Sequence, residues 1–324
     1  MRAVRVYEFD LNVPMQVDEV DDPRPEAGEI LVKVGAAGLN PSDIATRTGK
    51  HPFSKFLTPP YIPGNEASGE IVELGEGVED FEKGQKVFGG TMGGAYAEIV
   101  RMKASGVIPL PDGFSYGQGA GIRISLLTSW NALVLKDNVQ PGETVLVQGG
   151  AGGVGMTTIQ LAKHLGCRVF ATVSTDEKAD YCRKLGADEV INYKEEDFVE
   201  RCKQLTDDKG LDAIVELVAC DNFDKDMDAI RIGGRILLIG TGTGKGPMTQ
   251  FRVPAAMVKD AHIMGMSGLN LGPQVPGMVR DLTPLLNDGV FDIHVEREFS
   301  IDESNEAHQF VLGGKFFGKI VVVP

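Results

Sequence analysis

The 324-residue chain holds only four cysteines, one tryptophan and five histidines. Cys167, Cys182, Cys202 and Cys220 stand singly, about 15 to 20 residues apart, with no CxxC pair and no histidine cluster nearby. Neither a disulfide framework nor a zinc knuckle can be built from that spacing, which leaves four buried or half-buried free thiols. Long hydrophobic runs are missing too. Val145 to Val147 and Ile236 to Ile239 are strand length, far short of the roughly 20 apolar residues that span a bilayer. The opening MRAVRVYEFD carries charge through what would be the apolar core of an export signal, so a first strand and a cytoplasmic location are expected. Basic residues are outnumbered, 32 Lys and Arg against 46 Asp and Glu for a net charge of −14. Nucleic acid is therefore a poor partner, since binding its backbone needs clustered cations.

What is present is the balance of a soluble globular protein, 42% hydrophobic and 24% charged, in a chain long enough for two domains. The runs VRVYEF, ILVKVGAAG, SGEIVELG, QKVFGG and AYAEIVRM alternate with Gly and Pro, which predicts a largely antiparallel β domain. A short helix is expected from Pro41 to Thr48, with Asn40 as its N-cap. Near Ser115 the texture changes. A helical stretch from Tyr116 to Lys136 leads into βα repeats: TVLVQG, RVFATV, EVINY, DAIVELV and GRILLIG, each followed by a helical or glycine-rich segment, with HIMGM closing the run. That alternation predicts an α/β fold with a Rossmann-type doubly wound parallel sheet. The β-rich part is expected at 1–120 and 270–324, and the inserted α/β domain at 121–269.

The stretch QGGAGGVGMTTIQLAKHLG, from Gln148 to Gly166, follows a strand and opens a helix with Val154, Thr158, Leu161 and Leu165 on one face. In that setting GxGxxG predicts a dinucleotide pyrophosphate site formed by Gly150, Ala151, Gly152, Gly153, Val154 and Gly155. Gly150 would make the tight turn, Gly152 would let phosphate approach the backbone, and Gly155 would allow close helix packing. The helix N-terminus would supply free N–H groups. The second strand ends in Ser174 and Thr175, whose hydroxyls suit a 2′-phosphate, with Lys178 a turn later to neutralise it. Tyr193 could cover the adenine. Asp176 and Glu177 keep NADH open as the alternative to NADPH.

Several motifs in one order, AAGLNPSD at 36–43, IPGNEASGEIVELGEGVEDFEKGQKV at 62–87, GGAYAEIV, LLTSW, VLVQGGAGGVG, LGADEVINY and GKIVVVP, make the chain resemble the zinc-free quinone oxidoreductase branch of the medium-chain dehydrogenases/reductases. The resemblance runs over nearly the whole length and implies a GroES-like catalytic domain around the Rossmann domain. Zinc alcohol dehydrogenases of the superfamily carry Cys, His and Cys where this chain has Asn40, Asn65 and Ile124, and two amides and an alkyl chain are not zinc ligands. His51 and Glu66 alone do not make a metal site.

The resemblance implies hydride transfer from NADPH to a quinone or an α,β-unsaturated carbonyl. It places Asn40 and Thr128 near the nicotinamide, Asn40 also toward the acceptor carbonyl, and Tyr61 as a pocket wall or hydroxyl donor. Gly240, Thr241, Gly318 and Lys319 would approach the cofactor, and Phe53, Phe56, Met92 and Phe251 are candidates for the acceptor pocket or for packing. Where the family often has Ala and Pro, the segment GIRIS brings Arg123, either a cation for an anionic substrate group or the partner of an acid. VELVAC replaces the family's Asp and glycine pair. Two alternatives stay open: a 2-enoyl thioester reductase, and an NADPH-binding adaptor with little turnover. The strand HIMGMSGL should lie at a sheet edge, where the resemblance implies a homodimer through His262 to Leu269.

Overall fold

A computed structural model describes residues 1–242 and 246–324. The chain forms two compact units, one of residues 1–124, 271–289 and 293–324, the other of 125–270 and 290–292.

The first unit is built on a seven-stranded sheet. Its longest strand, Glu29–Leu39 (EILVKVGAAGL), is buried along most of its length, because partners flank it on both sides. Glu66–Leu74 and Ile99–Lys103 pair with it antiparallel, and so does the terminal strand Lys319–Val323, with Ile320 opposite Leu39. The strand Val295–Ser300 runs parallel to that last one. The chain end is thereby stitched beside the start of the helix Pro41–Thr46. A core of Ile30, Val32, Ile71, Tyr96, Met102, Phe299 and Ile320 lies between the sheet and its covering segments. The opening strand Arg2–Arg5 forms a two-stranded ribbon with Gln16–Glu19, a short polar segment whose composition carries no strand signal, and is tied to the rest of the unit by a bridge from Ala3 to Ala97.

The second unit holds a six-stranded sheet in the order Glu189–Asn192, Arg168–Val173, Thr144–Val147, Leu211–Glu216, Ile230–Leu238, His262–Gly265, and every pair in it is parallel. The chain winds outward from Thr144–Val147 in one direction, then restarts beside it at Leu211–Glu216 and winds the other way. The switch point between those two strands is where such sheets open a ligand crevice at their carboxyl ends. His262–Gly265 is the edge strand.

The helix Gly153–His164 departs from the expected single apolar face: every residue from Gly155 to Ala162 is buried. The reason is a second covering layer, for Ser129 Oγ lies 2.8 Å from both Thr157 Oγ1 and Thr158 Oγ1. The hydroxyls that make the helix look amphipathic are satisfied inside the unit. No described helix is long and apolar enough to cross a membrane.

Candidate active site

At the switch point the glycine segment forms a tight turn ahead of Gly153–His164. The left-handed residue is Gly149, φ 70°, rather than Gly150. The absent side chain of Gly150 has a different use: a Cβ there would lie 2.8 Å from Ala171 Cβ and 3.2 Å from Cys182 Sγ, so the turn can sit flat on the second strand. Gly155 allows the close approach expected of it, since a Cβ would meet Gly149 O at 2.5 Å and Gly150 O at 2.6 Å. At Gly152 a Cβ would touch nothing nearer than Gly149 O at 3.6 Å, which leaves open space above the helix N-terminus. Orphan N–H groups of that first turn face a site of positive potential. This is a cradle that a phosphate fits.

The end of the second strand lies beside it. Thr175 caps the helix Asp176–Lys184, accepting from Lys178 N at 3.3 Å, and Ser174 and Lys178 are half-buried. Tyr193 follows the next strand, donates from its backbone to Val173 O at 3.0 Å, and leaves its ring exposed. Those four residues therefore gather at one carboxyl edge of the sheet. Gly240 and Thr241 follow the strand Ile230–Leu238 and accept from Ala219 and Cys220 backbone N–H groups at 3.1 and 3.3 Å. Thr128 is half-buried next to Ser129.

Beneath this surface lies a network that sequence patterns did not single out. Gln148 Nε2 donates to Asp226 Oδ1 at 3.1 Å, Thr172 Oγ1 donates to Gln148 Oε1 at 2.7 Å, and Gly149 N donates to Thr172 Oγ1 at 3.0 Å. Glu216 accepts from Val218 N. Both acids are fully buried. Among the described residues, Glu216 Oε2 and Asp226 Oδ2 have no hydrogen-bond partner. Burial pushes both acids upward, and their mutual repulsion adds to the shift at Glu216. The available signal was Glu216 itself, an acid inside the apolar run DAIVELV.

In the first unit, three positions far apart in sequence converge. Asn40 stands at the N-cap of Pro41–Thr46 in a capping box with Asp43, whose Oδ2 accepts from Asn40 N at 2.8 Å. Asn40 Nδ2 donates to Glu66 Oε1 at 2.8 Å, and Lys319 Nζ donates to Asn40 Oδ1 at 2.6 Å and to Glu66 Oε1 at 3.2 Å. Ile124 N donates to Glu66 Oε2 at 2.7 Å, and Asn65 Nδ2 to Asp43 Oδ1 at 2.6 Å. Glu66 is fully buried, Lys319 is 3% and Asn40 6% exposed. Burial pushes the Asp43 carboxyl up to about 7; the Asn40 N–H opposes this, Glu66 adds to it, and Lys319 and Asn65 oppose it. Removing one partner of a buried ion pair such as Lys319–Glu66 costs about 3–5 kcal/mol. Gly318, at φ 71°, admits the turn before Lys319, where a Cβ would lie 2.4 Å from His294 O.

The remaining candidates separate. The Tyr61 ring packs in the core against Phe9, its buried hydroxyl has no hydrogen-bond partner among the described residues, and burial pushes it up to about 12. That setting suits a packing role. Phe53 is buried against exposed Phe56, and Met92 is exposed; Phe251 belongs to the other unit, edge-on to Phe223. His51 caps the turn Pro52–Phe56 by accepting from Phe53 N at 3.3 Å. The Arg123 guanidinium lies over the Gly90 backbone, and Nε donates to Gly106 O at 3.4 Å. Among the described residues it forms no ion pair.

A parallel sheet with a glycine turn at its switch point, in a chain whose other unit is a β domain carrying a buried polar cluster, defines the class. The chain belongs to the medium-chain dehydrogenase/reductase family and to its quinone oxidoreductase branch, and it is an oxidoreductase. Residues 26–112 match the alcohol dehydrogenase GroES-like domain, and 153–287 the zinc-binding dehydrogenase domain. The chain is similar to the quinone oxidoreductase of Rattus norvegicus, 31% identical over 331 residues that cover 100% of this chain and 98% of the relative. The human quinone oxidoreductase is 34% identical over 269 residues, 82% of this chain and 80% of that one. Among solved structures, Escherichia coli quinone oxidoreductase complexed with NADPH superposes with a TM-score of 0.89 at 26% identity, covering 100% of both chains.

The zinc named in one domain description does not fit these residues. The matching positions offer amide, amide and alkyl groups, and the neighbouring carboxylate already holds an ammonium. Among the described residues, no three His, Cys, Asp or Glu side chains converge as a metal site.

Proposed function

We propose that this protein is an NADPH-dependent oxidoreductase that delivers hydride, without a metal ion, to a quinone or an α,β-unsaturated carbonyl. The observation that carries the proposal is the cluster at Asn40, Asn65 and the Ile124 backbone, where an ammonium and amides stand in place of metal ligands. With no Lewis acid to polarise a simple ketone, the acceptor must already be activated by conjugation.

The glycine turn from Gly150 to Gly155 holds the pyrophosphate. Ser174, Thr175 and Lys178 receive the 2′-phosphate, and Tyr193 covers the adenine. Thr128, Gly240 and Thr241 bound the rest of the cofactor, while Lys319 is held by Glu66 and Asn40. NADPH, when bound, supplies the hydride. As the acceptor's conjugated carbon takes it, the electron pair moves to the carbonyl oxygen, and Asn40 donates a hydrogen bond from Nδ2 to the forming enolate or phenolate. Among the described residues its second Nδ2 hydrogen has no other acceptor. A proton from solvent completes the reduction. Alignment supplies much of the acceleration.

Arg123, lacking an ion pair among the described residues, favours one second reading, an enoyl thioester with an anionic carrier group. The test follows NADPH and NADH oxidation with quinones, short enones and enoyl-CoA esters, with and without chelator. Turnover of quinones or enones that survives chelation is expected. Turnover confined to enoyl-CoA selects the thioester reading; loss of activity with chelator sinks the metal-free mechanism, and tight NADPH binding with no turnover on any acceptor marks an adaptor.

A further inference from the structure

We propose that the Lys319 ammonium acts as a tethered cation that polarises Asn40 toward the acceptor oxygen, in the place where zinc-dependent relatives hold their metal. The inference rests on the function proposed above and assigns a positioning residue within it.

The fold makes specific room for this charge. Lys319 opens the terminal strand, whose next residue, Ile320, pairs with Leu39, so the lysine emerges level with Asn40. Its stem passes Gly121, where a Cβ would lie 3.0 Å from both Lys319 Cβ and Cγ. Glu66 passes Gly38, where a Cβ would lie 2.5 Å from Glu66 Oε1 and 2.3 Å from Ala120 O. Any side chain at either glycine would displace one member of the pair.

All three side chains are buried, and Asn40 keeps the most exposure of them. Glu66 is held by Ile124 N and by Asn40 Nδ2, so the carboxylate fixes the amide's orientation while the ammonium binds its oxygen at 2.6 Å. An ammonium hydrogen-bonded to an amide oxygen draws density from the amide nitrogen and strengthens its remaining N–H as a donor. That N–H meets negative charge only as hydride arrives, so its strengthening lowers the transition state more than the ground state.

The experiment is a double-mutant cycle between Lys319→Met and Asn40→Ala, read on a graded set of acceptors from an electron-poor quinone to a simple alkyl enone. Lys319→Met is expected to lower kcat by about 10- to 100-fold on the enone and far less on the quinone, because a poorer acceptor leans harder on electrophilic help. NADPH affinity should stay within about threefold of wild type, and Lys319→Met should add little once Asn40 is Ala. A chromogenic nitrophenol, whose phenolate mimics the product anion, should bind with its acidity raised by wild type and much less so by Lys319→Met, with no turnover involved. Lys319→Met paired with Glu66→Gln removes both charges and keeps the test open if the lone substitution fails to fold; it should show the same acceptor dependence. Lys319→Arg should recover part of the enone activity. Equal loss on every acceptor, additive effects in the cycle, or a loss confined to NADPH affinity overturns the inference while leaving the proposed reaction standing. A wild-type protein inert toward every acceptor overturns both.

Discussion

Two glycines of one turn should fail in opposite ways. At Gly155 an added Cβ lies 2.5 and 2.6 Å from two backbone oxygens, which cannot swing aside as a side chain can. Overpacking of this kind costs about 1–3 kcal/mol; at about 2–4 °C per kcal/mol for a domain of this size, Gly155→Ala should melt about 2 to 12 °C lower. At Gly152 the nearest atom is 3.6 Å away and the backbone sits at φ −80°, ψ 173°, a conformation that alanine adopts freely. Gly152→Ala should fold as well as wild type, or better by about 0.4–1 kcal/mol, because the unfolded chain loses freedom. Its methyl group would instead stand where the pyrophosphate approaches. NADPH at about 100 times its Kd stabilises a protein by about 2.7 kcal/mol, and that cofactor-induced rise in Tm should be present in wild type and absent in Gly152→Ala. The assay is thermal unfolding by circular dichroism with and without NADPH, with fluorescence titration for the Kd. A Gly152→Ala protein that keeps the cofactor shift, or a Gly155→Ala protein as stable as wild type, would refute the reasoning.

Further outcomes concern other parts of the second unit. Lys178→Ala should narrow the preference for NADPH over NADH, measured as the ratio of kcat/KM values; an unchanged ratio removes Lys178 from the 2′-phosphate site. The Glu216 and Asp226 carboxyls are raised above their unfolded values by burial, so the stability they lend is complete at acid pH, below the unfolded pKa values, and is lost as pH rises through the folded ones. Asp226→Asn removes one titrating acid, pushed up to about 6 by burial, and should flatten the fall in unfolding free energy between the ordinary carboxylate range and about pH 6, by up to about 1.4 kcal/mol per pH unit for one proton; equal slopes would contradict the upward shift of Asp226. Ile263, 40% exposed on the edge strand, should hold a homodimer together through strand pairing. Ile263→Lys should then yield monomers by sedimentation, and a wild-type monomer at micromolar concentration would dispose of the dimer.

The parallel sheet was legible because each strand–helix repeat announces itself locally, as TVLVQG does ahead of its glycines. The position of the glycine turn at the switch point was legible for the same reason. The part played by each glycine was not. Which one turns left-handed and which one clears a neighbour depends on Ala171, Cys182 and Ile159, all brought in by tertiary packing. Helix amphipathicity misled at Thr157, since a hydroxyl satisfied by Ser129 buries as readily as a methyl group. Lys319 shows a different limit. Its motif pointed to the cofactor, whereas its partners, Glu66 and Asn40, lie 253 and 279 positions away along the chain. No local pattern spans such a distance; only the register of Ile320 on Leu39 brings them together.

The lysine at Glu66 also bears on how a zinc enzyme and a protein like this one can be converted into each other. Installing cysteine, histidine and cysteine at 40, 65 and 124 would not give a working metal centre, because a divalent ion would arrive beside an ammonium already bound to the same carboxylate. A neutral residue at 319 is a fourth requirement. Made first, that change leaves Glu66 buried and unpaired; made last, it leaves two cations in contact. Each single step is thus less stable than either end state, so a designer moving between them would have to change the ligands and the lysine together.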